Sequence, residues 1–253
     1  MRNMSVKIVK CRIQGVEHNG KIQKLKFLIL GFGFSLYLLN FALHCYAAPC
    51  YGTRMPKQKE FAIGMQTYNI FRRYLEEDFG KLRSTQHFFL LSWGLCDWLS
   101  IDLKVGTGNI KQRPTNHCEV DYSSNFAGGY GFRLKLAQKD KLKTVFGFQH
   151  ISVHPKSIYV DGLKNRAVLD DWQVGLLGSY DFKKLIPYIG SRWSRLDYIH
   201  WQGDSRKRRM SDLTKGVGLI CGLDVPLREK VWINLEIQAF DSQAAAFSIN
   251  YSF

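Results

Sequence analysis

Phe126-Ala127-Gly128-Gly129-Tyr130-Gly131-Phe132-Arg133-Leu134-Lys135-Leu136 decides how the rest of the chain is read. Phe126, Tyr130, Phe132, Leu134 and Leu136 fall on one face of an extended chain; Ala127, Gly129, Gly131, Arg133 and Lys135 fall on the other. A period of two belongs to a strand with unlike faces, whereas an amphipathic helix would repeat its apolar residues at three and four. The polar face mixes glycines with cations, so it needs room as well as charge partners. The Gly128-Gly129-Tyr130-Gly131 run sits inside this strand with no helix after it, so it is not a phosphate cradle.

The same rhythm extends in both directions. Leu99, Ile101, Leu103 and Val105 oppose Ser100, Asp102, Lys104 and Gly106. Val231, Ile233, Leu235 and Ile237 oppose Asn234, Glu236 and Gln238, and the chain ends with Phe247, Ile249, Tyr251 and Phe253 opposing Ser248, Asn250 and Ser252. Strands are expected over 60–72, 84–95, 98–108, 125–137, 142–153, 170–181, 187–200, 214–225, 230–240 and 244–253. Strands 84–95 and 187–200 alternate least cleanly, which leaves eight as the other possible count. The gaps at 96–97, 138–141, 182–186 and 226–229 are short, while those at 73–83, 109–124, 154–169 and 201–213 are long. Asp241–Gln243 makes a short final turn on the long-loop side.

The polar face carries Gly129, Gly131, Gly147, Gly175, Gly216, Gly218 and Gly222. Small residues there make space inside a narrow closed barrel, rather than serving a sandwich surface turned to water. Asp102, Lys104, Arg133, Lys135, Lys143, Asp171, Asp181, Asp224 and Glu236 would then form a paired polar filling. The fold class is all-β: one antiparallel up-and-down barrel over 59–253, apolar wall outward. Such a wall suits a bilayer, where strands must close because unpaired backbone groups in hydrocarbon cost several kcal/mol each.

The N-terminal segment reads as a secretory signal over 1–47 with a long basic extension. Lys21, Lys24 and Lys26 precede an apolar run from Phe27 to Tyr46, and Ala47 and Ala48 form a small-residue exit. Cleavage after Ala47 leaves Pro49 second in the mature chain and 48–58 as a lead-in to the barrel. A permanent helix is the competing reading, since about 20 apolar residues span a bilayer. The chain carries +15; seven cations and one acid precede Ala48, leaving 29 against 20 after it. That excess suits phosphate-bearing headgroups as well as it would suit nucleic acid, and an exported barrel meets the former. Cys11 and Cys45 leave with the signal; Cys50, Cys96, Cys118 and Cys221 remain. They form no disulfide framework and no C-x-x-C metal spacing, although Cys50 and Cys96 fall on one side. Nothing in the pattern calls for a cofactor or a metal.

The terminal strand Phe247-Ser248-Ile249-Asn250-Tyr251-Ser252-Phe253 resembles the assembly signal of bacterial outer-membrane proteins, and residues 58–253 resemble their small β-barrel group. The resemblance implies an integral outer-membrane location, recognition of Phe247, Ile249, Tyr251 and Phe253 by the barrel-assembly machinery, and lipopolysaccharide as surrounding lipid. It implies no single activity. A non-enzymatic envelope or surface-binding role is the first expectation. A narrow channel is another, because about ten strands leave a lumen that side chains nearly fill.

One constellation could carry chemistry. His150 and Ser152 share the outward face of strand 142–153 with Phe146 and Phe148, and Asp170 shares that face on the next strand with Trp172. His150 could deprotonate Ser152 while Asp170 orients the imidazole. The His-x-Ser pair resembles that of outer-membrane lipid A 3-O-deacylases, which implies an esterase acting on lipid A; Val153 stands where that family has Asn. Interfacial polar residues of a barrel wall are the plainer reading of the same pair. Omptin proteases resemble the chain in strand number and use carboxylates and a His at the external rim. Asp78, Asp121, Asp170, Asp171, Asp212, His117, His154 and His200 lie near that rim, in no pairing that resembles the protease motif. The basic run Arg206-Lys207-Arg208-Arg209 falls in an expected external loop, where it would meet lipid phosphates or another anion.

Overall fold

The computed structural model describes residues 51–211 and 215–253, so the signal segment, Ala48–Cys50 and Asp212 lie outside the described residues. Twelve strands run in chain order: β1 (Phe61–Tyr74), β2 (Lys81–Cys96), β3 (Leu99–Arg113), β4 (Val120–Lys139), β5 (Leu142–Val153), β6 (Ile158–Val160), β7 (Leu163–Tyr180), β8 (Ile186–Gln202), β9 (Ser205–Met210), β10 (Val217–Pro226), β11 (Val231–Ala239) and β12 (Ser242–Ser252). Ten of them close into an antiparallel barrel in the order β1-β2-β3-β4-β5-β7-β8-β10-β11-β12, with β12 pairing back onto β1 from Ala62↔Ser252 to Arg73↔Ser242. β6 and β9 are additions at one end, hydrogen-bonded to the extended tips of β7 and β8. That is the hairpin end; Tyr51 and Phe253 mark the other, terminal end.

The strands alternate as their sequences require, with the sense reversed from a water-soluble protein. Met65, Leu103, Leu235 and Ile237 are exposed on the outer wall, while Asp102, Arg133, Arg192, Asp224 and Glu236 are buried in the lumen. Aromatic rings gather on the wall near the terminal end, where Phe61 stacks on Trp93 and Phe253 at 5.7 and 6.0 Å. A continuous apolar wall of this kind suits hydrocarbon, with rings at its margin.

Inside, the charges are paired in layers. Towards the hairpin end, Asp241 Oδ2 accepts Arg73 Nη1 at 2.7 Å, Arg192 Nε at 2.7 Å and Ser194 Oγ at 2.8 Å. Arg73 also donates to Ser194 O and Ser211 Oγ, and Arg192 to Gln238 Oε1 and Ser242 Oγ. Below them Arg133 forks onto Asp102 at 2.9 and 2.7 Å. Lys104 donates to Gln66 Oε1 at 2.9 Å. Near the terminal end Asn234 bridges Tyr188 Oη and Asp224 Oδ1, each at 2.8 Å.

Two local devices make the first layer possible. Ile70 faces inward, so plain alternation would turn Arg72 inward as well; a bulge in both pairings of β1 delivers Arg73 instead. Gly218 leaves the space for the acid, since a Cβ there would meet Asp241 Oδ1 at 1.9 Å. Neither Arg73 nor Asp241 belongs to the expected filling, because both fell in expected connections. Asp181, which did belong to it, is exposed at the terminal end.

The expected lead-in is structural. Tyr51 packs between Lys104 and Arg133, 4.2 and 5.1 Å from its ring. Thr53 donates its N and Oγ1 to Asp224 Oδ2 at 3.0 and 3.2 Å, and Arg133 Nη1 donates to Arg54 O at 2.6 Å. Tyr51–Arg54 therefore fill the lumen at the terminal end.

The long loops are shorter than expected. β3 and β4 continue outward until only 114–119 remain between them; 154–169 folds into the β6–β7 hairpin and 201–213 contains the β8–β9 hairpin. Strand pairing persists past the expected ends, but there the inward face is apolar, with Leu82, Ile110, Tyr122, Ala167 and Leu169 buried together, so the pattern of apolar outside and polar inside stops. Cys96, Cys118 and Cys221 are free thiols.

Replacing Asp241 with Ala leaves Arg73 and Arg192 buried and without their carboxylate, which should cost about 3–5 kcal/mol. Replacing Asp121, whose pair with Lys111 is exposed, should cost less than about 1 kcal/mol. Urea unfolding of the two variants in detergent checks the contrast; equal midpoints would contradict the layer's structural role.

Candidate functional site on the outer wall

β5 and β7 pair in the register His150↔Trp172 and Ser152↔Asp170, and all four side chains stand on the outer wall near the hairpin end. His150 packs on Trp172 with ring centroids 4.1 Å apart and faces Tyr130 at 5.4 Å. Ser152 Oγ donates to Asp170 Oδ1 at 2.5 Å, and the same oxygen of Asp170 lies 3.7 Å from His150 Nε2.

The three expected residues are thus together, but in a different order. Asp170, not His150, stands between the other two. Residues two apart on a strand face are separated by about 6.6 Å, whereas the cross-strand partner lies at about 5 Å, so Asp170 reaches Ser152 first. The histidine that touches Ser152 is His154, whose Nε2 is 2.8 Å from Oγ. The sequence places His154 at the external rim, and its even spacing from Ser152 is the signal that puts both on one face. With Asp170 accepting the hydroxyl proton, His154 Nε2 donates to Oγ; with the proton turned to His154, the imidazole is placed to take it.

Asp170 pairs directly across with Asp197 of β8. Two carboxylates in that position repel. Arg195 Nε at 3.2 Å and Arg208 Nη2, both on Asp197, offset the repulsion. The acid remote from Ser152 is neutralised, and Asp170 is left to the Ser-His group.

β9 splits the basic run by alternation. Arg206 and Arg208 pair across from Trp201 and Ile199 and lie on the outer wall; Lys207 and Arg209 pair with His200 and Tyr198 on the inner side. Arg206 and Arg166 bracket the Trp201 ring, each 5.5 Å from its centroid. Arg209 lies over Phe79 and pairs with Glu77 at 3.1 Å. The run is two half-sites on opposite faces, not one cationic loop.

A cup of about 670 Å³ opens at the hairpin end, lined among others by Asp78, Phe79, His117, Tyr122, His200 and Lys207. His200 Nε2 is 2.9 Å from Asn165 Oδ1. Asp121 turns to Lys111 outside, and Asp171 is buried in the lumen beside Gln173, so the rim acids and histidines of the sequence are scattered over three surfaces. Among the described residues no group of three or more His, Cys, Asp or Glu side chains is arranged to hold a metal ion.

No protein-family model and no curated protein matches the chain. Its fold is similar to an outer-membrane channel from Pseudomonas putida F1, with 10% identity over 81% of this chain and 99% of that one, TM-score 0.45. It is also similar to the translocator domain of the autotransporter NalP from Neisseria meningitidis, at 12% identity over 81% and 90%, TM-score 0.42. The outer-membrane protease OmpT from Escherichia coli gives 12% identity over 81% and 100%, TM-score 0.38. These likenesses concern the barrel alone and carry no function to this chain.

His200 stands on the tip of β8 beyond the apolar wall. Burial, and secondarily Lys207 beside it, disfavours its charged form and holds its pKa below the ordinary 6.5. A proton NMR titration should place its midpoint below that value, and Lys207→Gln should recover only the smaller part of the depression. A midpoint at or above 6.5 would contradict its burial in the cup.

Proposed function

We propose that this protein is an integral barrel of a bacterial outer membrane, exported by its N-terminal signal and inserted by barrel-assembly machinery that reads Phe247, Ile249, Tyr251 and Phe253. In this reading its role is non-enzymatic: the wall anchors it, and the hairpin end binds at the cell surface. One observation carries the proposal, the combination of an exposed apolar wall with a lumen filled by the Asp241, Asp102 and Asp224 layers and by Tyr51–Arg54. A filled lumen argues against free diffusion through it, and the outward Arg206 and Arg208 favour contact with anionic headgroups. Nucleic acid has no place in this setting.

Reconstitution into planar bilayers should give a heat-modifiable, inserted protein without stable conductance steps. Steady open-pore conductance would favour the channel reading and defeat this one.

A second reading rests on the contact of Ser152 Oγ with both His154 and Asp170. It makes the outer wall an esterase site for lipid A or a similar acylated lipid. Ser152 Oγ would attack the ester carbonyl while its proton passes to His154, which returns it to the departing alkoxide; water then releases the fatty acid from the acyl-serine. Mass spectrometry of lipid A from cells with the protein, without it and with Ser152→Ala checks this. Loss of an acyl chain only in the presence of Ser152 establishes the reaction, and unchanged lipid removes it.

A further inference from the structure

Above Ser152 the outer wall opens into a groove of about 610 Å³, walled by Asn125, His154, Lys156, Arg166 and Trp201. None of the residues lining it is acidic, and Lys156 and Arg166 are exposed. The two nearest outward carboxylates are engaged elsewhere: Asp170 by Ser152 and His150, Asp197 by Arg195 and Arg208. Arg206 adds a third cation across the Trp201 ring from Arg166. The floor is continuous with the apolar wall through Val168 and, two residues beyond Asp170, Trp172.

We infer that this groove seats the phosphate of an outer-leaflet glycolipid, with Lys156 and Arg166 holding the anion and Trp201 against the sugar. The charge asymmetry selects an anion, and a guanidinium offers paired donors to phosphate oxygens. The position selects an amphiphile, because below the groove, past Val168 and the Ser152–Asp170 row, the outer wall continues as the apolar surface that begins at Trp172 and Phe148. A mobile anion from solution would need no such surface. The basic run of the sequence supplies only Arg206 to this seat; Lys156 and Arg166 come from segments that the sequence presents as an unremarkable loop.

The inference rests on the outer-membrane reading and can fail separately from it. Native mass spectrometry of the full chain in detergent would compare three probes: diphosphoryl lipid A, the same lipid without phosphates, and inorganic phosphate as competitor. Diphosphoryl lipid A should bind one per barrel and about tenfold or more tighter than its dephosphorylated form. Lys156→Gln with Arg166→Gln should remove that preference, while Lys230→Gln, in the turn at the terminal end, should leave it. Heat-modifiability of each variant establishes that it is folded.

Equal binding of the dephosphorylated lipid, or an unchanged preference in the double variant, would overturn the seat while leaving the barrel intact. Displacement of the lipid by inorganic phosphate at low millimolar concentration would assign the groove to free anions and overturn its lipid specificity. If the wild-type protein forms no heat-modifiable barrel at all, the outer-membrane reading fails first.

Discussion

A sheet wrapped in hydrocarbon finds no water for an open edge, so it must close, and closure traps the polar half of every strand in a narrow lumen. This constraint organises the molecule. The charges enclosed by it cannot be left single, since an isolated buried charge costs several kcal/mol. Asp241 between Arg73 and Arg192, Asp102 with Arg133, and Asp224 with Thr53 and Asn234 are its consequences. Two lumen-facing glycines follow as well, because a Cβ at Gly218 would meet Asp241 and one at Gly222 would meet Tyr188. The filling is thus a condition of the barrel's existence as much as a property of its function.

The same constraint makes any polar group on the outer wall conspicuous. Where the wall should be apolar or interfacial, β5, β7 and β8 place His150, Ser152, His154, Asp170, Arg195 and Asp197 side by side. Within the cluster Ser152 holds Asp170 and His154, and Arg195 and Arg208 hold Asp197. Ser152 is at its centre and the cationic groove directly above it, so one lipid molecule could meet both.

The barrel was legible because its signal recurs in most of the strands, although 84–95 and 187–200 carry it least cleanly. Runs such as Phe126–Leu136 and Val231–Phe240 define faces that need no tertiary information. What the sequence concealed lies where alternation ends. Arg73 turns inward through a bulge, and Asp241 reaches the lumen from a turn, past the space at Gly218. The hairpins β6–β7 and β8–β9 carry only local turn signals: Asp161-Gly162, both at positive φ, and Gly203-Asp204. Recognising β9 as a strand would have divided Arg206–Arg209 between two faces. The proximity of Ser152 and Asp170 was legible from register, whereas the partner histidine depended on where the chain turns after Val153.

Spin labels placed singly along β11, from Val231 to Ala239, test the central claim most directly in reconstituted bilayers. Labels at Ile233, Leu235 and Ile237 should collide freely with oxygen dissolved in lipid, and labels at Asn234, Glu236 and Gln238 should be shielded from it, giving a period of two. A uniform profile, or the opposite phase with the polar positions in lipid, would contradict a barrel that is apolar outside and charged within.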